Sequence, residues 1–408
     1  MELGIDGKGK PPYNPGDITF FGVRSVYSLL LAIIYLAFIS LGLPDSLLGS
    51  AWPVMQPELG ADISWAGIIT MIIAGGTIVS SLNSSLVIRK FGTGVVTAVS
   101  VAMTALALLG FSFSGRFWQL CLWAIPYGLG AGAVDAALNN HVALHYSSRQ
   151  MSWLHAFWGV GVSISPYIMS TCLSRQLGWH MGYRTVAILQ MVLVAILVLS
   201  LPLWKKSTEA EEEKTRALTV RQALKLTGAP HVMFAFFCYC ALESTAGLWA
   251  SSYLVEFRGV DEQTAAGFAS LFYLGLTGGR FLSGFISDRV GDRGMIRLGI
   301  GSMILGIALM LLPLEANWAS LAGLVVIGFG AAPVYPCIIH STPVNFGKEN
   351  SQALVGIQMA SAYTGSTLMP PLFGLIAQYV HMGLYPVYLM VFAVVMLVMT
   401  EKLNRKLG

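Results

Sequence analysis

Charge is scarce in this sequence. Charged residues make up only 11% of the 408 residues, whereas 55% of the residues are hydrophobic. A soluble domain carries about 25% charged residues, so this chain has too little polar surface to be a soluble enzyme. The hydrophobic content also excludes intrinsic disorder, and a net charge of only +4 does not fit a nucleic-acid-binding protein.

Cysteine is also rare. The five cysteines all lie inside apolar stretches, so we expect small packing residues and neither disulfides nor metal ligands. His141 and His145 have the spacing of a helical metal pair, but no third ligand lies near them in the sequence, and we expect no metal there. Nucleotide-binding motifs are absent as well, which argues against an ATP-driven function. We therefore expect no cofactor and no enzymatic activity.

Long hydrophobic runs fill most of the chain. A membrane span needs about 20 predominantly apolar residues. Uncharged runs predict six spans over residues 25–204 and six over residues 231–404, where the run 350–400 divides into two. Where an acid such as Asp45 interrupts a run, apolar sequence resumes beyond it, so we expect the helix to continue. The predicted fold is an all-α integral membrane protein with 12 transmembrane helices in two six-helix bundles.

Two further segments flank the predicted bundles. Residues 205–230 are dense in charge and predict a cytoplasmic linker, and residues 1–24 predict a cytoplasmic N-terminal tail. Most Lys and Arg residues of the loops lie on the side that would hold both termini. Under the positive-inside rule, this distribution predicts a multi-pass protein of the cell membrane, plasma or inner, with both termini cytoplasmic. The lipid bilayer is then its main surrounding partner, and we expect a monomer.

The two predicted bundles are similar to each other in sequence. Asp45 of span 1 aligns with Glu243 of span 7 at an offset of 198 residues, and Gly128 of span 4 aligns with Gly328 of span 10 at an offset of 200. Because each bundle has an even number of spans, the repeats are parallel and related by a pseudo-two-fold axis along the membrane normal. This arrangement predicts a binding site near the midplane, between the bundles.

The loop between spans 8 and 9 carries the most specific motif. Residues 284–291 read GFISDRVG, which resembles the signature Gly-x-x-x-Asp-Arg-x-Gly of the major facilitator superfamily. The resemblance covers about residues 25–404 and implies transport by alternating access. The copy in the first half departs from the motif, because Ser85 and Arg89 stand where Gly and Asp belong.

In the second half, this motif is typical of a gating latch that favours the outward-facing state. The alternative is a positively charged turn that only fixes topology. Arg280 lies two turns before the acid of the motif and could complete the latch, neutralise a buried acid or bind an anionic substrate. The predicted gating residues are Gly284, Asp288, Arg289, Gly291 and Arg280.

Three acidic residues fall inside predicted spans. Asp45 follows Pro44 in span 1, Asp135 lies in span 4, and Glu243 lies in span 7. An ionisable group at bilayer depth costs at least about 2.5 to 3.5 kcal/mol on insertion scales, so each is a functional candidate. Burial disfavours the charged form of a carboxyl group, which suits reversible proton binding. We expect all three in proton coupling, and the alternative for Asp45 is an acid satisfied by Ser or backbone groups.

The acids of spans 1 and 4 carry a closer resemblance. Asp135 is followed by two alanines and, four residues on, by Asn139, and together with Asp45 this pattern resembles the fucose permease group of proton-coupled sugar symporters. The resemblance implies that Asp45 and Asp135 serve proton coupling and sugar binding. Span 4 departs from the group in having Asp in place of Glu and an extra residue before Asn139.

Polar and aromatic side chains near these acids suit a sugar, whose hydroxyls bond acids and amides while its apolar face stacks on rings. Trp249 and Tyr253 could instead form an interfacial aromatic belt, and His155 could be a packing residue at the cytoplasmic end. Packing is also the alternative for the candidates on spans 10 and 11. The predicted substrate-binding residues are Asp135, Asn139, His155, Trp158, Glu243, Trp249, Tyr253, Tyr335, Gln358 and Tyr363.

These observations favour proton-coupled uptake of a sugar by alternating access. A second hypothesis is a proton-driven antiporter that exports a drug-like or amphipathic metabolite, and a third is an uncoupled facilitator or a sensor. The predicted partners are a small-molecule substrate, protons and the lipid bilayer, with no nucleic acid.

Overall fold

Every element in the described part of the chain is helical. The computed structural model describes residues 18–62, 65–208, 218–260, 262–312 and 317–407. Within these ranges a π-helical turn covers Tyr253–Phe257 and a 3-10 turn covers Met382–Leu384. The α-helices are α1 (Ile18–Asp45), α2 (Leu47–Glu58), α3 (Ala66–Phe91), α4 (Thr93–Ser112), α5 (Phe117–His145), α6 (Ser148–Ser174), α7 (Gly178–Thr208), α8 (Val220–Ala223), α9 (Ala229–Ser252), α10 (Glu262–Leu311), α11 (Trp318–Ala331), α12 (Val334–His340), α13 (Thr342–Phe346), α14 (Lys348–Tyr379) and α15 (Tyr385–Leu407).

Ten segments of the described chain are long and apolar enough to cross a membrane. The chain is therefore an all-helical, multi-pass membrane protein, as predicted, although the sequence predicts twelve spans. Predicted spans 8 and 9 merge into α10, whose segment Phe272–Leu311 counts once. Predicted span 11 corresponds to α14, which is 32 residues long but too rich in polar side chains to qualify.

The first predicted span continues past its acid as one membrane-spanning segment, Ser28–Trp52, as expected, but it has a one-residue interruption at Ser46. Helix α1 ends at Asp45 and α2 begins at Leu47. Pro44 explains the break, because a proline inside a helix removes one backbone hydrogen bond and its ring clashes with the preceding turn. Ser46 Oγ then donates to the carbonyl oxygen of Val162 in α6, at 2.7 Å. The break leaves the Asp45 carboxyl at a helix end within a membrane-spanning segment.

The glycines of the sequence repeat make equivalent contacts in both halves. A Cβ atom on Gly128 of α5 would collide with the carbonyl oxygen of Ile73 in α3, and one on Gly328 of α11 would collide with that of Phe272 in α10. Two further pairs behave in the same way, Gly130 with Gly330 and Gly161 with Gly365. Small residues allow helix backbones to approach this closely. The halves therefore repeat in packing as well as in sequence.

We expect Gly128→Ala to destabilise the protein by about 1 to 3 kcal/mol, because the new methyl group overpacks a contact with rigid backbone. The matched control is Gly115→Ala, since a Cβ atom at Gly115 meets no atom within 4 Å. Thermal unfolding in detergent measures the difference. An unfolding temperature for Gly128→Ala equal to that of the control would contradict this account of the repeat.

Two glycines with positive φ make matching turns at one end of the helices. Gly92 (φ 78°, ψ 155°) joins α3 to α4, and Gly291 (φ 75°, ψ 160°) breaks α10 at the equivalent position of the repeat. Glycine is the residue that adopts such angles without strain. The junction face is defined here as the end of the molecule that holds these turns together with Tyr146 and Ser147, between α5 and α6, and Gly347, between α13 and α14.

Candidate functional site

The carboxyl group of Asp45 binds side chains from two neighbouring helices. The Tyr127 hydroxyl of α5 donates to Oδ1 at 3.3 Å, and Trp158 Nε1 of α6 donates to Oδ2 at 2.9 Å. Both donors are uncharged. Asp45 is exposed although it lies between α5 and α6.

The carboxyl group of Asp135 links the two halves of the chain. Asn139 Nδ2, one turn along α5, donates to Oδ1 at 2.8 Å and to the backbone carbonyl of Asp135 at 3.0 Å. The Tyr363 hydroxyl of α14 donates to Oδ2 at 2.6 Å. Asp135 is buried, and each of its carboxyl oxygens therefore has an uncharged donor, one from each half.

His155 extends this group of residues along α6. Its Nε2 atom lies 3.0 Å from Asn139 Oδ1. Because the Asn139 amide nitrogen donates to two acceptors on Asp135, its oxygen faces the histidine and accepts, so His155 Nε2 carries a hydrogen. The imidazole ring also contacts the ring of Tyr335 in α12, with centroids 4.5 Å apart. The structure thus brings together five of the predicted binding residues: Asp135, Asn139, His155, Tyr335 and Tyr363.

Glu243 forms an ion pair with Arg280, unlike the two aspartates. Arg280 Nη2 of α10 lies 3.2 Å from Glu243 Oε1 of α9, and the side chains are only 3% and 16% exposed. The guanidinium carbon lies 5.5 Å from the centre of the Trp158 ring, which favours a cation–π contact. Arg280 therefore connects Glu243 to Trp158, which itself bonds Asp45, and within the described residues no bond joins it to the predicted latch.

Three predicted binding residues do not contact the acids in the described structure. Trp249 Nε1 donates to the carbonyl of Pro370 at 2.9 Å, and the buried Tyr253 hydroxyl lies 3.5 Å from the carbonyl of Met310. Gln358 Oε1 accepts from Thr342 Oγ1 of α13 at 3.1 Å. Each of these side chains bonds within the second half, and packing is the alternative that the sequence leaves open for Gln358.

The predicted latch residue Asp288 does link the two halves at the junction face. Arg149 of α6 reaches Asp288 with its side chain, Nε to Oδ2 at 3.2 Å, and its backbone N–H donates to Oδ1 at 3.2 Å. Gly284 packs under the ring of Trp153, where a Cβ atom would collide with the indole. Gly291 supplies the turn after the motif, and Arg289 is exposed.

Sequence reasoning missed several partners of these residues. Tyr127 carries no signal beyond being an aromatic residue in a span, and Arg149 enters the sequence argument only as a loop charge. Asp292 and His340, which bond each other at the junction face, were not singled out either. A search for ionisable residues at both ends of the spans could have found Arg149, Asp292 and His340, but no pattern pairs them.

Comparison with known proteins places the chain in a family. The family model described as Major Facilitator Superfamily matches residues 34–352 and 268–401. The glucose/mannose transporter GlcP of Bacillus subtilis is 21% identical over 354 residues, which cover 83% of this chain and 86% of that protein.

Two solved structures share the fold. The fucose:proton symporter FucP of E. coli matches with a TM-score of 0.71 at 14% identity, over 93% of this chain and 99% of that chain. The proton:xylose symporter XylE matches with a TM-score of 0.76 at 11% identity, over 95% of this chain and 96% of that chain. At these identities the likeness concerns the fold alone.

Proposed function

Because this chain belongs to the Major Facilitator Superfamily, we propose that it is a secondary active transporter that couples the uptake of a sugar to the entry of protons. The observation that carries the proposal is the pair of carboxyl groups, Asp45 and Asp135, whose hydrogen-bond donors are all uncharged. Such a carboxyl can gain and lose a proton without leaving a charged partner unpaired. The sugar symporters among the structural neighbours support the same substrate class.

Glu243 takes a different part in this proposal. Its carboxyl group pairs with the buried Arg280, and removing one charge of a buried pair leaves the other uncompensated. We therefore propose that Asp45 and Asp135 bind the coupled protons. Glu243 instead positions Arg280 beside Trp158. The remaining N–H groups of Arg280 suit sugar hydroxyls, which accept hydrogen bonds.

The proposed topology has twelve spans. Helices α1 and α2 together form the first, α10 forms two on either side of Gly291, and α14 forms the eleventh. The bundles cover residues 25–204 and 231–404, and the junction face is cytoplasmic because the basic loops are concentrated there. Both termini then lie in the cytoplasm.

Alternating access follows from the position of the contacts between the halves. The Arg149–Asp288 pair joins the two halves at the junction face, while Asp45, between α5 and α6, is exposed. This geometry supports an outward-facing state in which Asp45 takes up a proton from outside. Asp135 of the first half accepts a hydrogen bond from Tyr363 of the second half. Sugar binding at Asp135 would therefore affect both halves.

The charges of the candidate site favour an uncharged substrate. Among the described residues of the candidate site, three are acids, Asp45, Asp135 and Glu243, and one, Arg280, carries a guanidinium group, and the charges of the two aspartates act on each other. An anion would meet an excess of negative charge, whereas a proton together with a neutral sugar reduces it. The same excess also suits an organic cation, which keeps antiport of a cationic metabolite as the second candidate.

Entrance counterflow in proteoliposomes tests the substrate class. Vesicles loaded with unlabelled fucose, xylose, glucose or mannose are diluted into medium that contains a trace of the same sugar in labelled form. Parallel vesicles are loaded with glucuronate or tetraphenylphosphonium and diluted into the labelled form of that compound. We expect counterflow with at least one neutral sugar and none with the anion. Counterflow with the cation or the anion alone would contradict the proposal.

We expect Tyr363→Phe to weaken sugar binding about tenfold. The change removes a donor to Asp135, and hydrogen bonds to charged groups contribute about 1.5 to 3 kcal/mol, of which 1.4 kcal/mol is a factor of ten. Equilibrium binding of labelled sugar measures the effect. The matched control is Tyr388→Phe, because the Tyr388 hydroxyl donates to the carbonyl of Met369 within the second half, at 2.9 Å. Equal affinity of the two variants for the sugar would show that the Tyr363 hydroxyl does not contribute to sugar binding.

A further inference from the structure

A histidine at the junction face lies between two hydrogen-bond acceptors. His340, at the end of α12, has its Nδ1 atom 2.7 Å from Asp292 Oδ2 and its Nε2 atom 3.0 Å from the carbonyl oxygen of Tyr146. The side chains of His340 and Asp292 are 19% and 14% exposed, so water competes little for these bonds.

The two acceptors determine the protonation state that fits this geometry. A backbone carbonyl can only accept a hydrogen bond, and so can an ionised carboxylate. Both bonds form together only when both ring nitrogens of His340 carry hydrogens, which is the imidazolium form. A neutral imidazole has one N–H group, so in either tautomer a nitrogen lone pair faces one of the two oxygens.

Two bonds of this cluster join the two halves of the chain, from His340 to Tyr146 and from Ser148 to Asp292. Tyr146 precedes α6 in the first half, whereas Asp292 and His340 belong to the second half. Ser148 Oγ, also of the first half, donates to Asp292 Oδ1 at 2.7 Å. The three contacts form a histidine clamp, consisting of Tyr146, Ser148, Asp292 and His340, in which the cross-half bond from His340 to Tyr146 and the bond from His340 to Asp292 form together only when the imidazole carries its second proton.

Other titratable and charged groups surround His340. Asp288, one turn before Asp292 on α10, adds negative charge near the imidazole and is itself paired with Arg149 of α6. The Cys337 thiol, on the same helix as His340, lies 3.6 Å from Ser148 Oγ. The nearby acids favour the imidazolium, and Arg149 is engaged with Asp288.

We propose that the histidine clamp is a pH-sensitive lock on the junction face, closed when His340 is doubly protonated and released as the pH at that face rises. Imidazole is the side chain that ordinarily changes charge between pH 5 and 8. Under the proposed topology the lock faces the cytoplasm, so acid brought in by proton-coupled uptake would hold the transporter closed. The lock itself requires neither a sugar nor the coupling acids.

The distance between spin labels on Phe91→Cys and Val344→Cys tests the lock. Both positions are exposed near the junction face, one in each half, and Cys121 is replaced by alanine because it is the one cysteine that is not buried. The protein is placed in nanodiscs and carries Asp45→Asn and Asp135→Asn, so the coupling acids cannot contribute to the pH response. No sugar is present, and a failure of the lock is thereby distinguishable from a failure of symport.

We expect the ratio of closed to open molecules to fall about tenfold from pH 6 to pH 8, the change that a one-unit difference in proton affinity between the two states gives. In His340→Gln, the ratio should be low at both pH values. In Asp292→Asn it should be high at both, because an amide nitrogen at this position can donate to Nδ1 while the Nε2–H group of a neutral imidazole still donates to Tyr146. Two variants are used because either one alone could fail to fold.

The matched control is His180→Gln. His180 also lies between a carboxylate and a backbone carbonyl, Glu58 Oε1 at 3.0 Å and Ser112 at 3.2 Å, but all three residues belong to the first half. We expect this variant to keep the pH response of its parent. Equal distance distributions at pH 6 and pH 8 in the parent, or a full pH response in His340→Gln, would overturn the proposal.

Discussion

Asp45→Asn is expected to abolish the accumulation of sugar against its concentration gradient. Asparagine keeps the shape of the side chain and an oxygen to accept from Trp158, but it cannot bind and release a proton. With one proton per sugar, each unit of pH gradient supports about tenfold accumulation, because 1.4 kcal/mol is a factor of ten. The variant should therefore only equilibrate the sugar, at an internal-to-external ratio of about one.

Uptake of labelled sugar into proteoliposomes with an acidic exterior measures this ratio. The matched control is Asp62→Asn, the same substitution at an exposed acid beyond α2. We expect the control to accumulate sugar as the parent does, and a protonophore to reduce both to the level of Asp45→Asn. Accumulation by Asp45→Asn at the level of the parent would show that Asp45 does not carry the coupled proton.

Arg280→Gln is expected to cause the largest loss of stability. It leaves the Glu243 carboxylate buried without its cation, and breaking a buried pair in this way costs about 3 to 5 kcal/mol. Replacing both residues, as Glu243→Gln with Arg280→Gln, removes the uncompensated charge and should recover most of that loss. The double variant should nevertheless transport poorly, because Trp158 loses its cationic neighbour.

Thermal unfolding in detergent, followed by size-exclusion chromatography, compares these variants. Arg297→Gln is the matched control, because Arg297 forms an ion pair with Glu401 in which the side chains are 55% and 32% exposed, far more than in the Glu243–Arg280 pair. Exposed pairs contribute little to stability, so this variant should unfold close to the temperature of the parent. Two results would contradict a stabilising role of the Glu243–Arg280 pair. One is an unfolding temperature of Arg280→Gln equal to that of the control, and the other is a double variant that is no more stable than Arg280→Gln.

The sequence predicts the membrane fold and its repeat well because both produce patterns in neighbouring residues of the sequence. Uncharged runs reveal the spans, and Gly128 and Gly328 show the repeat because close helix packing requires small residues at fixed positions. The break at Ser46 was less predictable. Pro44 signals a disturbance of the helix, but whether a helix bends or ends there depends on bonds such as that from Ser46 to Val162, which lie far apart in the chain.

The candidate site could be predicted only in part. Acids inside spans attract attention because charge at that depth is costly, which is how Asp45 and Asp135 were found. Their partners are distant in sequence, and Tyr363 lies 228 residues from Asp135. The sequence predicts that Trp249 contacts the substrate, yet its indole N–H donates to the backbone carbonyl of Pro370, because a buried donor needs an acceptor.

The change in external pH on adding sugar tests proton symport most directly. Weakly buffered proteoliposomes containing the parent or Asp45→Asn receive the sugar that gives counterflow, and a pH electrode follows the medium. Proton symport predicts alkalinisation with the parent and none with Asp45→Asn. Transport of the sugar by the parent with no change in pH would contradict proton coupling, and acidification would indicate antiport.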